Sequence, residues 1–175
     1  MNRKIYITIS IITISLYLLQ SSLFASEGMD FNIKFDKTEY SKKDQISVTF
    51  ELINRSKEAI YVNNRFYLNS EESPKGEREI YLIITHESGD IIGCKVSRET
   101  GIPKSDFFVF LKPGNKAKIK RAINIRHMYD FDKPGAYEIK AAYHNVYGSE
   151  IGLPAFGDKI WSKPITIKII EEGSE

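Results

Sequence analysis

Cysteine is almost absent from this chain. Cys94 is the single cysteine among 175 residues, so no disulfide can form within the chain. Because Ile92, Cys94 and Val96 alternate with other residues, an extended segment would place all three on one face. We interpret Cys94 as a small buried hydrophobic side chain rather than a reactive or pairing thiol.

Motifs for metal binding, phosphate binding and nucleophilic catalysis are also missing. The three histidines stand at His86, His127 and His144, none at metal-ligand spacing from another histidine, a cysteine or a pair of carboxylates. No glycine-rich phosphate loop and no Gly-x-Ser-x-Gly motif of a nucleophile elbow occurs. We therefore expect no enzyme activity, no metal and no cofactor. One alternative left open is a hydrolase assembled from two histidines and nearby carboxylates. Its candidate residues are His127, His144, Asp130 and Asp132.

Residues 1–25 have the layout of a signal peptide. Two basic residues precede fifteen uncharged residues, and a polar stretch then leads to the small residue Ala25. This pattern predicts cleavage after Ala25 and a secreted or periplasmic domain over residues 26–175. An uncleaved membrane anchor is the alternative, because roughly 20 apolar residues are enough to span a bilayer.

An excess of charge of one sign is lacking as well. Loss of residues 1–25 removes two of the 25 basic residues and none of the 23 acidic ones, which leaves the two kinds equal in number. A protein that grips nucleic acid through its phosphates normally carries a clear positive excess. We therefore expect no nucleic-acid partner, and membrane contact only during export. The remaining length fits one monomeric domain, which would bury about 68–70% of the unfolded chain's surface without help from disulfides.

The chain after residue 30 is dominated by two-residue hydrophobic alternation, which indicates strands with one buried face. Short runs separated by glycine, proline, asparagine and aspartate turns favour a sandwich over parallel units with helical crossovers. The sequence predicts an all-β fold, an antiparallel β-sandwich of about eight or nine strands. The predicted strands lie within residues 31–35, 46–52, 59–62, 80–85, 91–96, 107–111, 116–125, 137–145 and 160–170.

The segment DKPGAY at 132–137 favours an immunoglobulin-like sandwich. An Asp-x-x-Gly-x-Tyr approach to a late strand is how a tyrosine corner is built, with the phenol in the core and its hydroxyl bonded to backbone a few residues upstream. We therefore interpret Tyr137 as a structural residue rather than a catalytic one.

The whole pattern resembles secreted bacterial immunoglobulin-like domains. It is similar to the non-catalytic N-terminal segment of deuterolysin-type metalloproteases and, more distantly, to sandwich-fold proteinase inhibitors. The segments that carry the resemblance are DKTEY at 36–40, ISVTFELIN at 46–54, LKPG at 111–114, YDFDKPGAY at 129–137 and WSKPITI at 161–167. These are turns and core positions, so the resemblance implies a fold and no activity. The His-Glu-x-x-His motif of a zinc protease domain does not occur.

Two irregular segments, 63–79 and 146–159, interrupt the strand pattern, and loops are where binding residues concentrate. The second is glycine-rich and has aromatic residues in or beside it, which predict a contact surface. The candidate binding residues are Tyr147, Leu153, Phe156 and Trp161. For Trp161, burial as the core tryptophan of the sandwich is the competing interpretation.

From these observations we expect an exported, non-enzymatic interaction module whose partner is a protein of the cell envelope or the extracellular space. A secreted proteinase inhibitor is one alternative, because the segment 152–155 holds Leu153 next to a proline. A carbohydrate-binding module that uses the loop aromatics is another.

Overall fold

The computed structural model describes residues 28–69, 78–96, 101–118 and 122–171. The predicted signal peptide and its cleavage position lie outside the described residues. The described strands are β1 (Met29–Phe35), β2 (Glu39–Ser41), β3 (Ser47–Asn54), β4 (Ile60–Asn63), β5 (Glu79–His86), β6 (Phe108–Leu111), β7 (Lys116–Lys118), β8 (Ile123–Asn124), β9 (Gly135–His144), β10 (Ile160–Trp161) and β11 (Ile165–Ile170). Two single-turn 3-10 helices cover Ser105–Phe107 and Ser149–Ile151.

The strands form two facing sheets and a short ribbon. In the first sheet, β3 pairs antiparallel with β1 on one edge and with β7 and β8 on the other. In the second, β9 pairs antiparallel with β5 on one edge and with β10 and β11 on the other, and β11 pairs parallel with β2. Strands β4 and β6 pair antiparallel as a two-stranded ribbon. The all-β sandwich predicted from the sequence is confirmed.

Strict alternation of side chains builds the core. In β1 the apolar residues Met29, Phe31, Ile33 and Phe35 are buried and the residues between them are exposed. The ring centroids of Phe31 and Tyr143 lie 6.0 Å apart, so the inner faces of the two sheets meet there. Each fully buried side chain of this size contributes about 1.5–3 kcal/mol relative to an exposed one.

The predicted tyrosine corner is present. The Tyr137 hydroxyl donates to the Lys133 carbonyl at 2.7 Å, and its ring is 1% exposed. Gly135 has a φ of +133°, and a Cβ there would lie 2.6 Å from His86 Nε2. Only glycine therefore fits the turn that leads into β9. We call the end of the sandwich where His86 opposes Tyr137 the corner end.

Asn54 bonds both to the chain that leads into β4 and to the chain that leaves β6. Its Nδ2 donates to the Glu58 carbonyl at 2.7 Å and to the Leu111 carbonyl at 2.8 Å. Its own carbonyl accepts the Gly114 N–H at 2.8 Å. Gly114 has a φ of +75° directly after Pro113, which is the arrangement of a type II turn.

Three strand predictions differ from the structure. Residues 91–96 form no strand, because beside β5 there is only an isolated bridge at Ile91, and the chain then diverges at the exposed Gly93. The predicted strand 116–125 is divided between β7 and β8, with residues 119–121 outside the described part. The predicted strand 160–170 is broken before β11 by Pro164, which has no N–H to donate to a ladder.

Cys94 packs against the core but is half-buried and not fully buried as predicted. It forms an isolated bridge with Tyr129 instead of lying in a strand. Across the described ranges, no helix is long and apolar enough to span a membrane.

Candidate binding surface

The two irregular segments noted in the sequence meet at one end of the sandwich, where Glu79 of β5 opposes His144 of β9. We call this the loop end. There Asn63 Nδ2 donates to Asn145 Oδ1 at 3.4 Å, and Arg78 Nη1 donates to the Tyr147 hydroxyl at 3.2 Å. Sequence reasoning selected both segments separately but gave no sign that they touch.

A buried ion pair holds the first segment. The Arg65 guanidinium binds the Glu79 carboxylate through Nε and Nη2, and the side chains are 16% and 2% exposed. The same carboxylate accepts the Tyr67 N–H at 2.9 Å, and Arg65 Nη1 donates to the Gly101 carbonyl at 2.9 Å. A buried charge is tolerated when it is paired and its remaining hydrogen-bonding positions are filled. Arg65 thereby ties the segments around residues 67, 79 and 101 into one unit.

Two non-glycine residues at this end adopt left-handed backbone conformations. Phe66 has a φ of 48° and Glu79 a φ of 59°. Such conformations persist only where the surroundings fix them. Here Phe66 is 1% exposed, with its ring 6.1 Å from that of Tyr143, and Glu79 is held by Arg65. The described parts of the segment, residues 63–69 and 78–79, are therefore held in one conformation by packing and by charge.

Asn145 closes the second segment at its base. Its Nδ2 donates to the carbonyls of Tyr147 at 2.6 Å and Phe156 at 3.1 Å, and its Oδ1 accepts the Tyr147 N–H at 3.3 Å. Within the loop, the backbone amides of Glu150 and Gly148 hold the pKa of the Glu150 carboxyl below its usual range. The Phe156 N–H donates to the Tyr61 carbonyl at 2.8 Å, which joins the loop to the ribbon.

The candidate binding residues do not form one aromatic platform. Tyr147 is only 6% exposed and lies between the guanidinium groups of Arg65 and Arg78, at 5.9 and 5.8 Å from its ring centroid. Phe156 is half-buried and stacks on Tyr143. Both rings therefore help to hold the loop end together.

Leu153 and Trp161 lie apart from those rings. Leu153 is half-buried, and its N–H and carbonyl bond to Gly148 and Ala155 within the loop. Trp161 is in β10 between the buried residues Ile160 and Ser162, and it points outward with 37% of its surface exposed. The interpretation of Trp161 as the core tryptophan is therefore wrong.

Apolar side chains that are exposed or half-buried stand on the ribbon and on the segments joined to it at the loop end. Phe110 of β6 is 55% exposed, and its ring lies 4.7 Å from that of Tyr61 directly across the ribbon. We call the set the apolar surface; its members are Tyr61, Ile102, Phe107, Phe110, Val146 and Ile151. Sequence reasoning missed it, although a strand with phenylalanine at 107, 108 and 110 must turn at least one ring outward.

The residues of the hydrolase alternative do not converge. His144 ends β9 at the loop end, whereas Asp130 and Asp132 precede the first residue of the same strand. A strand of ten residues spans roughly 30 Å. Within the part of the chain that the structure describes, no group of three or more histidine, cysteine or acidic residues could hold a metal ion.

No protein-family model matches the chain, and no curated protein matches it.

Proposed function

We propose that this protein is a non-enzymatic binding module that uses the apolar surface to hold a protein partner in the cell envelope or outside the cell. The observation that carries the proposal is that exposed apolar side chains stand on segments fixed by buried polar contacts. The location follows from the signal-peptide layout of residues 1–25 and is part of the proposal.

The chemistry of the apolar surface suits a protein partner. The exposed ring of Phe110 pairs with the half-buried ring of Tyr61, and aromatic side chains are enriched among the residues that dominate binding energies at protein interfaces. Solvent-exposed apolar residues that stand singly need no explanation, but a contiguous set marks an interaction site. The hydrogen bond from the Phe156 N–H to the Tyr61 carbonyl makes the loop and the ribbon, which carry members of the set, adjoin.

Fixed loops support the same proposal. Ordering a mobile loop on binding costs about 0.5–1.5 kcal/mol for each side chain that is immobilised. The Arg65–Glu79 pair and the Asn145 hydrogen bonds already order the described parts of these loops in the free protein. Binding therefore does not have to supply the free energy of ordering them. The surface is therefore preorganised.

The two alternatives have less support. An inhibitory loop offers an extended backbone to a protease cleft, but Leu153 already uses its N–H and carbonyl within the loop. A sugar platform needs open aromatic faces, but Tyr147 is buried and Phe156 is stacked on Tyr143. Incubation with serine, cysteine and metalloproteases tests the first, and inhibition at micromolar excess would favour it.

The experiment compares capture of envelope and culture-medium proteins by the wild-type domain and by surface variants. Phe110→Asp and Ile151→Asp each place a charge on the apolar surface. Ile91→Asp is the matched control, because Ile91 is 71% exposed and follows the turn at the corner end. We expect one set of partners bound by the wild type and the control and lost from both surface variants. Equal capture by all four proteins, or none by the wild type, would contradict the proposal.

A further inference from the structure

Strand β1 lies at an edge of the first sheet. In the part of the chain that the structure describes, it pairs with β3 alone, through an unbroken series of residue pairs from Met29 to Phe35. Its sequence, MDFNIKF, contains no proline and no glycine. Proteins usually protect such an edge with a proline, a bulge, a very short strand or charged side chains. Of these devices, β1 has only the charged side chains.

The backbone groups of every second residue in β1 point away from β3. In an antiparallel pair, opposite residues alternate between exchanging two hydrogen bonds and exchanging none. The Asp36 N–H donates to the Ser47 carbonyl at 3.3 Å, and the Arg55 N–H donates to the Gly28 carbonyl at 2.7 Å. The even-numbered residues of this strand therefore bond to β3. The N–H and carbonyl groups of the odd-numbered residues point to the edge; these residues are Met29, Phe31, Ile33 and Phe35.

The exposed face of β1 carries charges of both signs, placed symmetrically. Asp30 and Lys34 are exposed on the outer face, one on each side of Asn32 at the same spacing. Arg55 Nε bonds to one carboxylate oxygen of Asp30, Oδ2, at 2.8 Å. A carboxylate has two acceptor oxygens, so Asp30 can bind a second cation.

We propose that two copies of this chain pair through β1, antiparallel, about a twofold axis at Asn32. In this register, Asp30 of each copy lies opposite Lys34 of the other, so two pairs of opposite charge form. Phe31 of each copy lies opposite Ile33 of the other, and both residues have backbone groups that point to the edge. The pairing is isologous, as in most homodimers, because the same strand serves both copies.

Charge selects this register over its neighbours. A slip of one residue would exchange the inner and outer faces of the strand, so permitted registers move the axis from one residue to the next. With the axis at Ile33, Asp30 would lie opposite Asp36, and like charges directly opposite each other are destabilising. With the axis at Phe31, Lys34 would lie opposite Gly28 and would lose its charged partner.

This interface is separate from the proposed binding site for another protein, because it shares no residue with the apolar surface. Phe110→Asp and Ile151→Asp leave β1 unchanged, so each proposal can fail alone. A stable protein interface uses about 20–30 residues from each partner, and one strand supplies far fewer. We therefore expect a weak dimer that dissociates on dilution, in place of the monomer expected from the sequence.

The test is sedimentation equilibrium of the exported protein at micromolar to millimolar concentrations. We expect the wild type to change from monomer to dimer over this range. Lys34→Asp and Asp30→Lys each replace two pairs of opposite charge with two pairs of like charge, so each should weaken dimerisation about tenfold. An equimolar mixture of the two variants restores both pairs of opposite charge and should form a heterodimer about as stable as the wild-type dimer.

Lys112→Asp is the matched control. It makes the same change in net charge as Lys34→Asp, at an exposed position in the turn between β6 and β7. We expect it to dimerise like the wild type. Thermal unfolding at micromolar concentration shows whether each variant is folded.

Hydrogen exchange of the wild type locates the contact without any variant. The amides of Phe31 and Ile33 should exchange more slowly as the protein concentration rises, because they become bonded across the twofold axis. The proposal is overturned if those amides exchange equally fast at all concentrations, or if the wild type stays monomeric because the edge accepts a strand of a different protein. It is also overturned if the mixed variants dimerise no better than either alone, or if Lys112→Asp weakens dimerisation as much as Lys34→Asp.

Discussion

Two tyrosines on the same face of β9 show how differently the two ends of this sandwich are built. At the corner end, the Tyr137 hydroxyl bonds to the Lys133 carbonyl, four residues upstream. Towards the loop end, the Tyr143 hydroxyl accepts the Asn63 N–H and donates to the Asn63 carbonyl, both at 3.1 Å and 80 residues away in the chain. The corner end is held by local turn chemistry, whereas the loop end depends on contacts between distant segments.

The largest effect is expected from breaking the buried ion pair. Glu79→Gln leaves the Arg65 charge buried without its partner, and we expect a loss of about 3–5 kcal/mol in the free energy of unfolding. Chemical denaturation measures it. Adding Arg65→Met to Glu79→Gln removes the orphaned charge and should recover part of the loss.

The exposed pair Arg55–Asp30 provides the control for that substitution. Its side chains are 58% and 52% exposed, so Asp30→Asn should change the free energy of unfolding by less than about 1 kcal/mol. If Asp30→Asn and Glu79→Gln lower the free energy of unfolding equally, the buried Arg65–Glu79 pair contributes no more to stability than an exposed pair.

Matched tyrosine substitutions sharpen the comparison between the ends. Tyr143→Phe leaves the buried N–H and carbonyl of Asn63 without their hydroxyl partner, and we expect a loss of about 2–3 kcal/mol. Tyr137→Phe removes one hydrogen bond to a single carbonyl, and we expect a loss of about 1 kcal/mol. Denaturation of both variants under one set of conditions measures the difference. A larger loss for Tyr137→Phe would contradict the expectation that the hydroxyl bonds of Tyr143 contribute more to stability than the hydroxyl bond of Tyr137.

Alkaline pH should destabilise the protein through the same tyrosines. Burial raises the pKa of the Tyr143 hydroxyl and, with help from Asp130 and Asp132, that of Tyr137. Because the folded-state pKa values are raised, their contribution is complete below the unfolded value near 10 and is lost above it, as the unfolded chain ionises first. Stability measured between about pH 8 and pH 11 should fall less steeply for Tyr143→Phe than for the wild type. If the stability of both proteins falls equally steeply with pH, ionisation of Tyr143 does not contribute to the loss of stability in alkali.

The smallest effect is expected in acid, at exposed carboxylates of both ends. Lys133 and Ser88 hydrogen bonds hold the pKa of Asp90 low at the corner end, and backbone amides lower that of Glu150 at the loop end. Groups with lowered folded-state pKa values stabilise the fold above the ordinary carboxyl pKa near 4, and that contribution is lost as the pH falls through the lowered values. Asp90→Asn should reduce the drop in unfolding temperature between pH 7 and about pH 3. If the drop in unfolding temperature is the same in Asp90→Asn and the wild type, protonation of Asp90 does not contribute to the loss of stability in acid.

The corner end could be predicted from the sequence because its causes are local. Gly135, Pro134 and Tyr137 lie within four residues of one another, and each has one strong conformational preference. The turn at Pro113 and Gly114 was predictable for the same reason. Alternation over residues 31–35 and 46–52 likewise predicted β1 and β3 and, through them, the sandwich.

The loop end could not be predicted, because its partners are far apart in the chain and chemically ordinary. Nothing next to Glu79 marks it as a buried acid, and its partner Arg65 is 14 residues away. Tyr147 was predicted to be a binding residue, but its ring is buried against guanidinium groups from another segment. Phe110 was predicted only as part of a strand over 107–111, because which of its side chains face outward depends on how the ribbon pairs.

Native-state hydrogen exchange tests most directly whether the loop end is a fixed surface. The amides of Asn63, Tyr67 and Tyr147 donate to side chains of the buried network. We expect them to exchange as slowly as amides within β5 and β9, and to lose that protection together in Glu79→Gln. Exchange at the rate of an unstructured peptide at these three amides, while β9 stays protected, would show that the loops are mobile and would contradict a preorganised binding surface.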